Sequence, residues 1–484
     1  MEYKLIRQKP EEYSGGALIL MQYEDGPAVK GILSGVIQNA YKKGGFTAEK
    51  NEIFQVFPCE VIKADRLILV GLGKKNKSTP EDIRKAAGAV IRNVCNLKRV
   101  AFMPAGDIRE TIPAIVDGAI LGGYRFDRLK SEKKEIKLRE ISFFESGKRF
   151  AESKLNEAIA LAESTCSARD LANLPANLLT PLKLADEVVK LGRKYKIRTR
   201  ILSEDDLKKY KMNALLAVGQ GSLNRPHMAV WEYNGGRQKS APLVFVGKGV
   251  TFDSGGLSIK QAQGMEAMKG DMGGAAAVIS MIPVLGQLQP RINVVGITPL
   301  VENLPSGTAY RPGDVLTASN DKTIEVISTD AEGRLILADA LVYAGRYKPK
   351  YVIDIATLTG ACMVALGVHI AGGIMGTDQR LVDMLIAAGE RSGERLWQLP
   401  LWDDYRPLLD TTSADMKNTG GRWGGAITAA KFLSEFAEGY KWAHIDMAGM
   451  DNQESSSHPY QIKGMTGWGV RLLSRFALTQ SGRK

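Results

Sequence analysis

The 484-residue chain predicts an α/β protein of two domains. A smaller α/β domain comes first. A C-terminal domain follows, with a largely parallel or mixed central sheet covered by helices. Strand-like apolar runs alternate with helix-like segments along most of the chain, the pattern left by strands joined through crossover helices. The strand runs read as buried, as in sheets covered on both faces. A turn-rich stretch, NLPANLLTP (173–181), breaks the alternation in two.

In chain order, RLILVGLG (66–73) and RVAFMP (99–104) read as strands. PEDIRKAAGAVIRNVCNL (80–97) reads as a helix with Pro80 near its start. GLGKKNKST lacks the spacing of a phosphate loop and reads as a charged surface turn. Leu155, Ile159, Ala162 and Cys166 recur at helical spacing. The expected domains are therefore 1–150, a linking helix over 151–172, and 173–484. In the last of these, APLVFVGKG (241–249), RINVVGITPL (291–300), TIEVIS (323–328), YVIDIATLTG (351–360) and KWAHIDMAG (441–449) read as strands. GGAAAVISMIPVLGQL and RLILADALVYAGRY read as apolar helices between them.

Hydrophobic residues make up 44% of the chain, enough for a large core. The four cysteines, at 59, 95, 166 and 362, form no CxxC pair, which fits reduced thiols in a cytoplasm rather than a secreted disulfide framework. The opening MEYKLIRQKPEEYSGG has no apolar targeting region, and no membrane span is expected. The net charge of +12 is spread along the chain and is the only warrant for nucleic-acid binding.

Chemistry concentrates in two places. GKGVTFDSGGLSIKQAQGMEAMKGDMGGAAAV (247–278) carries Lys248, Asp253, Lys260 and Asp271 in a glycine-laden loop after a strand. STDAEGRLIL (328–337) sets Asp330, Glu332 and Arg334 at alternate positions. An extended or looped stretch would aim all three one way, whereas a helix would aim neighbours two apart in opposite directions. Capping of the helix that follows, by Asp330 with Glu332 in its first turn, is the alternative.

Four converging carboxylates repel unless cations lie among them, and two divalent ions would balance them. Oxygen donors in that number suit Mn, Mg or Zn. His227, His369, His444 and His458 show no ligand spacing and read as structural or surface residues. DSGG (253–256) offers no base for Ser254, and GKG lacks the rest of a dinucleotide fingerprint.

STDAEGRL (328–335), VGKGVTFDSGGLSIK (246–260), MKGDMGGAAAV (268–278), SARDLANLPANLLTP (167–181), DIATLTGA (354–361), SADMKNTGGRWGGAITAAKFL (413–433) and HIDMAG (444–449) together resemble the leucyl aminopeptidase (cytosol aminopeptidase) family, peptidase class M17. The resemblance covers essentially all of 165–470, whereas the first 150 residues share only α/β character. It implies a cytoplasmic homohexamer that removes N-terminal residues, leucine and other apolar ones foremost, from peptides with a free N-terminus. It implies two divalent ions per subunit, Mn or Zn, with Mg or Co as alternatives. Asp253 and Glu332 would bridge the ions, Asp330 would complete one site, and Lys248 and Asp271 the other. Lys248 would then have to be neutral, which adjacent dications favour.

Lys260 and Arg334 would be the catalytic pair, with bicarbonate held by Arg334 as a proton shuttle. Met268, Ala331 and Thr357, with Lys260 and Asp271, would meet the substrate. One departure stands out: the family's usual Asn is Ser328 here, which bears on substrate contact rather than on the metals. The rival readings are a DNA-binding regulator on the same scaffold and a silent structural member. The intact set from Lys248 to Arg334 argues against silence.

Overall fold

The structure is a computed structural model; it describes all residues except 27–31, 57–60, 134, 146–148, 239, 454–457, 462 and 483–484. Chain contacts divide it into two compact units. One is Met1–Glu163 with Ser455–Lys463, the other Ser164–Glu454 with Gly464–Lys484.

The first unit holds β1 (Glu2–Ile6), β2 (Ala17–Gln22), β3 (Ile53–Val56), β4 (Leu67–Gly71), β5 (Arg99–Met103) and β6 (Glu140–Phe144). Among the described residues they form a six-stranded sheet in the order β1-β6-β5-β2-β4-β3, parallel except for β3 against β4. Successive side chains of a strand point to opposite faces. Accordingly Leu18 and Leu20 pack with Leu33, Ile37 and Ala40 of α1 (Ile32–Lys43). Ile19 and Met21 pack with Ile83, Ala87, Ile112 and Ile115 of α2 (Pro80–Asn93) and α3 (Ile108–Gly123). The α2 start is locally encoded: Thr79 and Asp82 form a reciprocal capping box, and Pro80 stands where no amide donor is needed. Lys74, Lys75 and Lys77 of GLGKKNKST are exposed, as a surface turn requires.

Helix α4 (Glu152–Asn173) contains the point where the contact division falls. The second unit continues with α5 (Pro181–Tyr195), β7 (Arg198–Leu202), α6 (Glu204–Lys209), α7 (Asn213–Gly219), β8 (His227–Asn234), β9 (Leu243–Gly247) and β10 (Gly249–Asp253). Next come α8 (Gly273–Ile279), α9 (Met281–Leu288), β11 (Asn293–Asn303), β12 (Val315–Thr317), β13 (Thr323–Glu325), α10 (Glu332–Ala344) and β14 (Tyr351–Ala356). Strands β15 (Gly372–Gly376), β16 (Leu396–Gln398), β17 (Met416–Lys417) and β18 (Trp442–Asp446) follow.

The main sheet runs β16-β15-β18-β14-β9-β11-β8-β7, with β10 extending the line of β9 and also pairing β11. Its centre, β18-β14-β9-β11, is parallel; β7, β8 and β15 pair antiparallel. The mixed, largely parallel sheet expected from the apolar runs is therefore present. Phe245, Ile353 and Ile445 face α5, α8 and α9, while Val244, Val352 and Trp442 face α7 and α10. A small sheet, β12-β13-β17, stands apart from it.

Three local expectations need correction. TIEVIS forms a strand only over Thr323–Glu325. GGAAAVISMIPVLGQL is two helices meeting at Ser280, because Pro283 has no amide to bond the carbonyl four residues back. The surrounding stretch Met265–Leu288 is apolar and long enough to pass as a membrane span by composition, contrary to the expectation that none would. It is a broken run of short helices, 83% buried within the unit, and so reads as core.

Candidate active site at the strand ends

Parallel sheets gather function at the carboxyl ends of their strands. Here β9 ends at Gly247, β10 at Asp253, β11 at Asn303, β14 just before Thr357 and β18 at Asp446. The glycine-rich stretch 247–274 is not the single loop expected, since it contains β10 and the 3-10 turn Met265–Gly270. Apolar Val250 supplies enough burial to hold Gly249–Asp253 against β11.

Lys248 lies between β9 and β10 and is buried. Its Nζ is 2.8 Å from Asp271 Oδ1, 2.8 Å from Glu332 Oε1 and 2.9 Å from the Thr357 carbonyl, to which it donates. Gly333 makes room for it: a Cβ there would fall 2.6 Å from Lys248 Cε. Asp253 accepts from the Gly255 amide at 2.9 Å and from Asn303 Nδ2 at 2.8 Å, and its other oxygen is 2.8 Å from Lys260 Nζ. The turn after Asp253 needs positive φ at Gly255 and Gly256, where a side chain would be strained. Lys260 also pairs with Asp330. Asp271 Oδ1 accepts from Thr357 Oγ1 at 2.6 Å, while its Oδ2 is buried with no partner among the described residues.

The DAEGR stretch is neither fully extended nor a capping motif. Asp330 sits in a turn, Ala331 is the N-cap and makes no side-chain bond, and Glu332 is the first residue of α10. Glu332 and Arg334 therefore diverge, as helix geometry demands. Glu332 meets Lys248, whereas Arg334 Nη1 donates to the Asn418 carbonyl at 2.7 Å and its Nε is buried without a partner among the described residues. Asp330 reaches the cluster because it still belongs to the turn; its amide donates to Ser328 Oγ at 3.2 Å. The serine that departs from the family pattern thus stabilises this turn. Met268 lies in the 3-10 turn Met265–Gly270, and Thr357 follows β14 beside Asp271.

Lys248 and Lys260 balance only two of the four carboxylates. Burial disfavours charge on both lysines, but the neighbouring acids outweigh it and hold both ammonium groups above the ordinary lysine range. Burial pushes Asp271, Glu332 and Asp330 above ordinary carboxylate values, opposed by the lysines. Burial also lowers Arg334 to about 10. Asp253, Asp330 and Glu332 each offer one oxygen, and the three lie within 4.8 Å of one another. An excess of carboxylate oxygens, one of them orphaned on Asp271, is a donor set that fits hard divalent cations.

Sequence reasoning missed the residues that aim these groups. Asn303 Nδ2 ties Asp253 to the Thr329 carbonyl at 3.0 Å. Asn418 Nδ2 donates to the Ser328 carbonyl at 2.7 Å, so it holds both 328 and Arg334. Asp446 accepts from the Leu358 amide at 3.2 Å and Thr359 Oγ1 at 2.6 Å, fixing the turn that presents Thr357. The only available signal was that Asp446 and Asn418 fall inside HIDMAG and SADMKNTGG. His444 is buried beside Asp354 on the adjacent strand, in keeping with the structural role expected of it.

The chain is similar to known proteins along nearly its whole length. A model of the cytosol aminopeptidase family catalytic domain matches residues 166–474, and one of that family's N-terminal domain matches 20–133. A probable cytosol aminopeptidase of Nitrosococcus oceani is 40% identical over 503 residues, covering 99% of both chains. One of Geotalea uraniireducens is 41% identical, covering 98% of this chain and 99% of the relative. Among solved structures, the bottromycin maturation enzyme BotP in complex with Mn matches with TM-score 0.87 and 34% identity, covering 96% of this chain and 99% of its own.

Proposed function

This chain belongs to the cytosol aminopeptidase family, and from that premise we propose that it is a dinuclear-metal aminopeptidase that releases N-terminal residues, leucine and other apolar ones favoured, from peptides. One observation carries the reading: four carboxylates share a strand-end pocket with two lysines, and Asp271 keeps a buried oxygen free. A solved relative described in complex with Mn supports divalent metal use.

Asp253 and Glu332 would hold both cations, Asp330 would complete one site, and Lys248 and Asp271 the other. Lys248 must first shed the proton it shares with Asp271 and Glu332. Such cations, Mn or Zn foremost, supply Lewis acidity and activation of water at neutral pH. Lys260 reaches over Asp253 and Asp330 as an ammonium and stabilises the oxygen of the first peptide carbonyl as negative charge develops there. Arg334 stays protonated and cannot act as a base. Its unpaired Nε is free to hold an anion, bicarbonate being our candidate, that passes a proton to the leaving amine. Met268, Thr357 and Ala331 would line the pocket for the first side chain. Exposed Trp397, Trp402 and Trp423 support an assembly, in our reading a cytoplasmic homohexamer, to be checked by sedimentation.

Dialysis against a chelator should abolish hydrolysis of leucine anilide, added Mn or Zn should restore it, and N-acetylated peptides should resist cleavage. Activity indifferent to chelation would reject the reading.

A further inference from the structure

Asp451 takes no part in the mechanism above, yet it stands beside the first-residue pocket. It follows β18, and burial pushes its carboxyl up to about 6, so it is an anion at neutral pH. The side chain remains partly exposed. A Cβ built on Gly273 would lie 3.6 Å from both Asp451 Cβ and Thr357 Cγ2, so the acid and the pocket-lining threonine border one spot. A Cβ built on Gly270 would lie 3.8 Å from Asp451 Oδ2. That places the carboxylate beside the residue preceding Asp271, on the 3-10 turn that carries Met268.

No described lysine, arginine or histidine forms an ion pair with Asp451. Backbone amides of Gly449 and Asn452 hold the carboxylate in place. The other walls are apolar: Asp451 lines a crevice with Ala276, Met447, Met465 and Trp468. The crevice holds about 10 Å³, room for one water at most. Methionine side chains repack readily, so Met447 and Met465 can yield to an unbranched stem. Lys248 attracts Asp451 only through space, and an anion at the end of an apolar wall, with no ion pair among the described residues, suits a side chain that buries methylenes and extends a charge. Lysine's four-carbon stem reaches about 6 Å, and Thr357 links the two ends of its path, hydrogen-bonded to Asp271 on one side and bordering with Asp451 the spot above Gly273 on the other.

We propose that Asp451 is a specificity-determining residue that admits lysine and arginine as N-terminal residues, in addition to apolar ones. The inference rests on the aminopeptidase reading above and deepens it. The test uses the full-length, manganese-loaded enzyme and the anilides of leucine, norleucine, lysine and arginine. Norleucine shares lysine's stem without its charge. In the unaltered enzyme kcat/KM for lysine should exceed that for norleucine at least tenfold. In Asp451→Asn and Asp451→Met the lysine-to-leucine ratio should fall at least tenfold, a change a merely structural role would not produce. Leucine cleavage with lysine below a hundredth of it overturns this inference and leaves the aminopeptidase reading standing, as does a proportional loss of both substrates in the variants. Inactivity toward every unblocked anilide overturns both.

Discussion

Two charge clusters of the catalytic unit are composed differently, one buried throughout and one open at Asp330. Glu394 and Arg471 are both almost fully buried; Arg471 Nε lies 3.2 Å from Glu394 Oε1, and the Leu472 amide donates to Oε2 at 2.8 Å. One acid meets one base, and a backbone amide takes the remaining oxygen. At the strand ends, Asp253, Asp271, Asp330 and Glu332 form ion pairs with Lys248 and Lys260, Arg334 acts on Glu332 through space alone, and an Asp271 oxygen has no partner among the described residues. Burying a charge is tolerable only when it is compensated. The first cluster is balanced in charge, one acid to one base, whereas the second calls for added positive charge. That imbalance marks a binding site and not a structural ion pair, and Asp330, which stays exposed, opens the second cluster to solvent.

That contrast is open to direct attack. Arg471→Met strands the Glu394 charge and should cost about 3–5 kcal/mol of stability, whatever metal is present. Lys248→Met should cost the metal-free protein a similar amount. At a hundredfold excess over the dissociation constant, however, manganese should return about 2.7 kcal/mol, because a dication can replace the lost ammonium. Thermal unfolding of both variants beside the unaltered protein, with and without manganese at one concentration, decides it; a Lys248→Met deficit that manganese leaves undiminished, as it should leave that of Arg471→Met, would erase the distinction.

Next in size, Lys260→Ala should slow turnover by about 10²–10³-fold, roughly 2.7–4 kcal/mol, with metal content unchanged by elemental analysis. Metal loss alongside activity would assign Lys260 to holding the cluster together.

The pH dependence has a definite sign. Lys248, Asp271 and Glu332 all hold their protons more tightly than usual in the metal-free chain. A cation must displace those protons, so apparent affinity rises with pH, about tenfold per unit for each proton released. Competition with a chromophoric chelator between about pH 6 and pH 8 measures the slope, and a flat profile would mean that none of the three gives up a proton to the metal. The smallest effect belongs to Ser328→Ala, which loses the bond to the Asp330 amide and should change kcat/KM by less than about tenfold, on the order of 1 kcal/mol.

How much could be read before folding depended on the range of the physics. Thr79, Pro80 and Asp82 announce the start of α2 because a cap is a contact over three residues. The buried strands Leu243–Gly247 and Tyr351–Ala356 were visible as apolar runs, and the acid-and-lysine grouping was visible as composition. The loop stretches misled where burial intervened: Gly249–Asp253 became a strand through pairing with β11, and Glu332 entered α10 while Asp330 stayed outside.

The amino-acid order by itself determined the α/β character, the family and the chemical types at the site, because each is written in local pattern or in short motifs. Only the tertiary structure decided that Lys248 lies between Asp271 and Glu332, that Asn303, Asn418 and Asp446 aim the site, and that Asp451 borders it. These residues come from strand ends and turns far apart in sequence. The register of parallel strands brings them together, and register is set by the packing of whole faces rather than by any neighbouring residue.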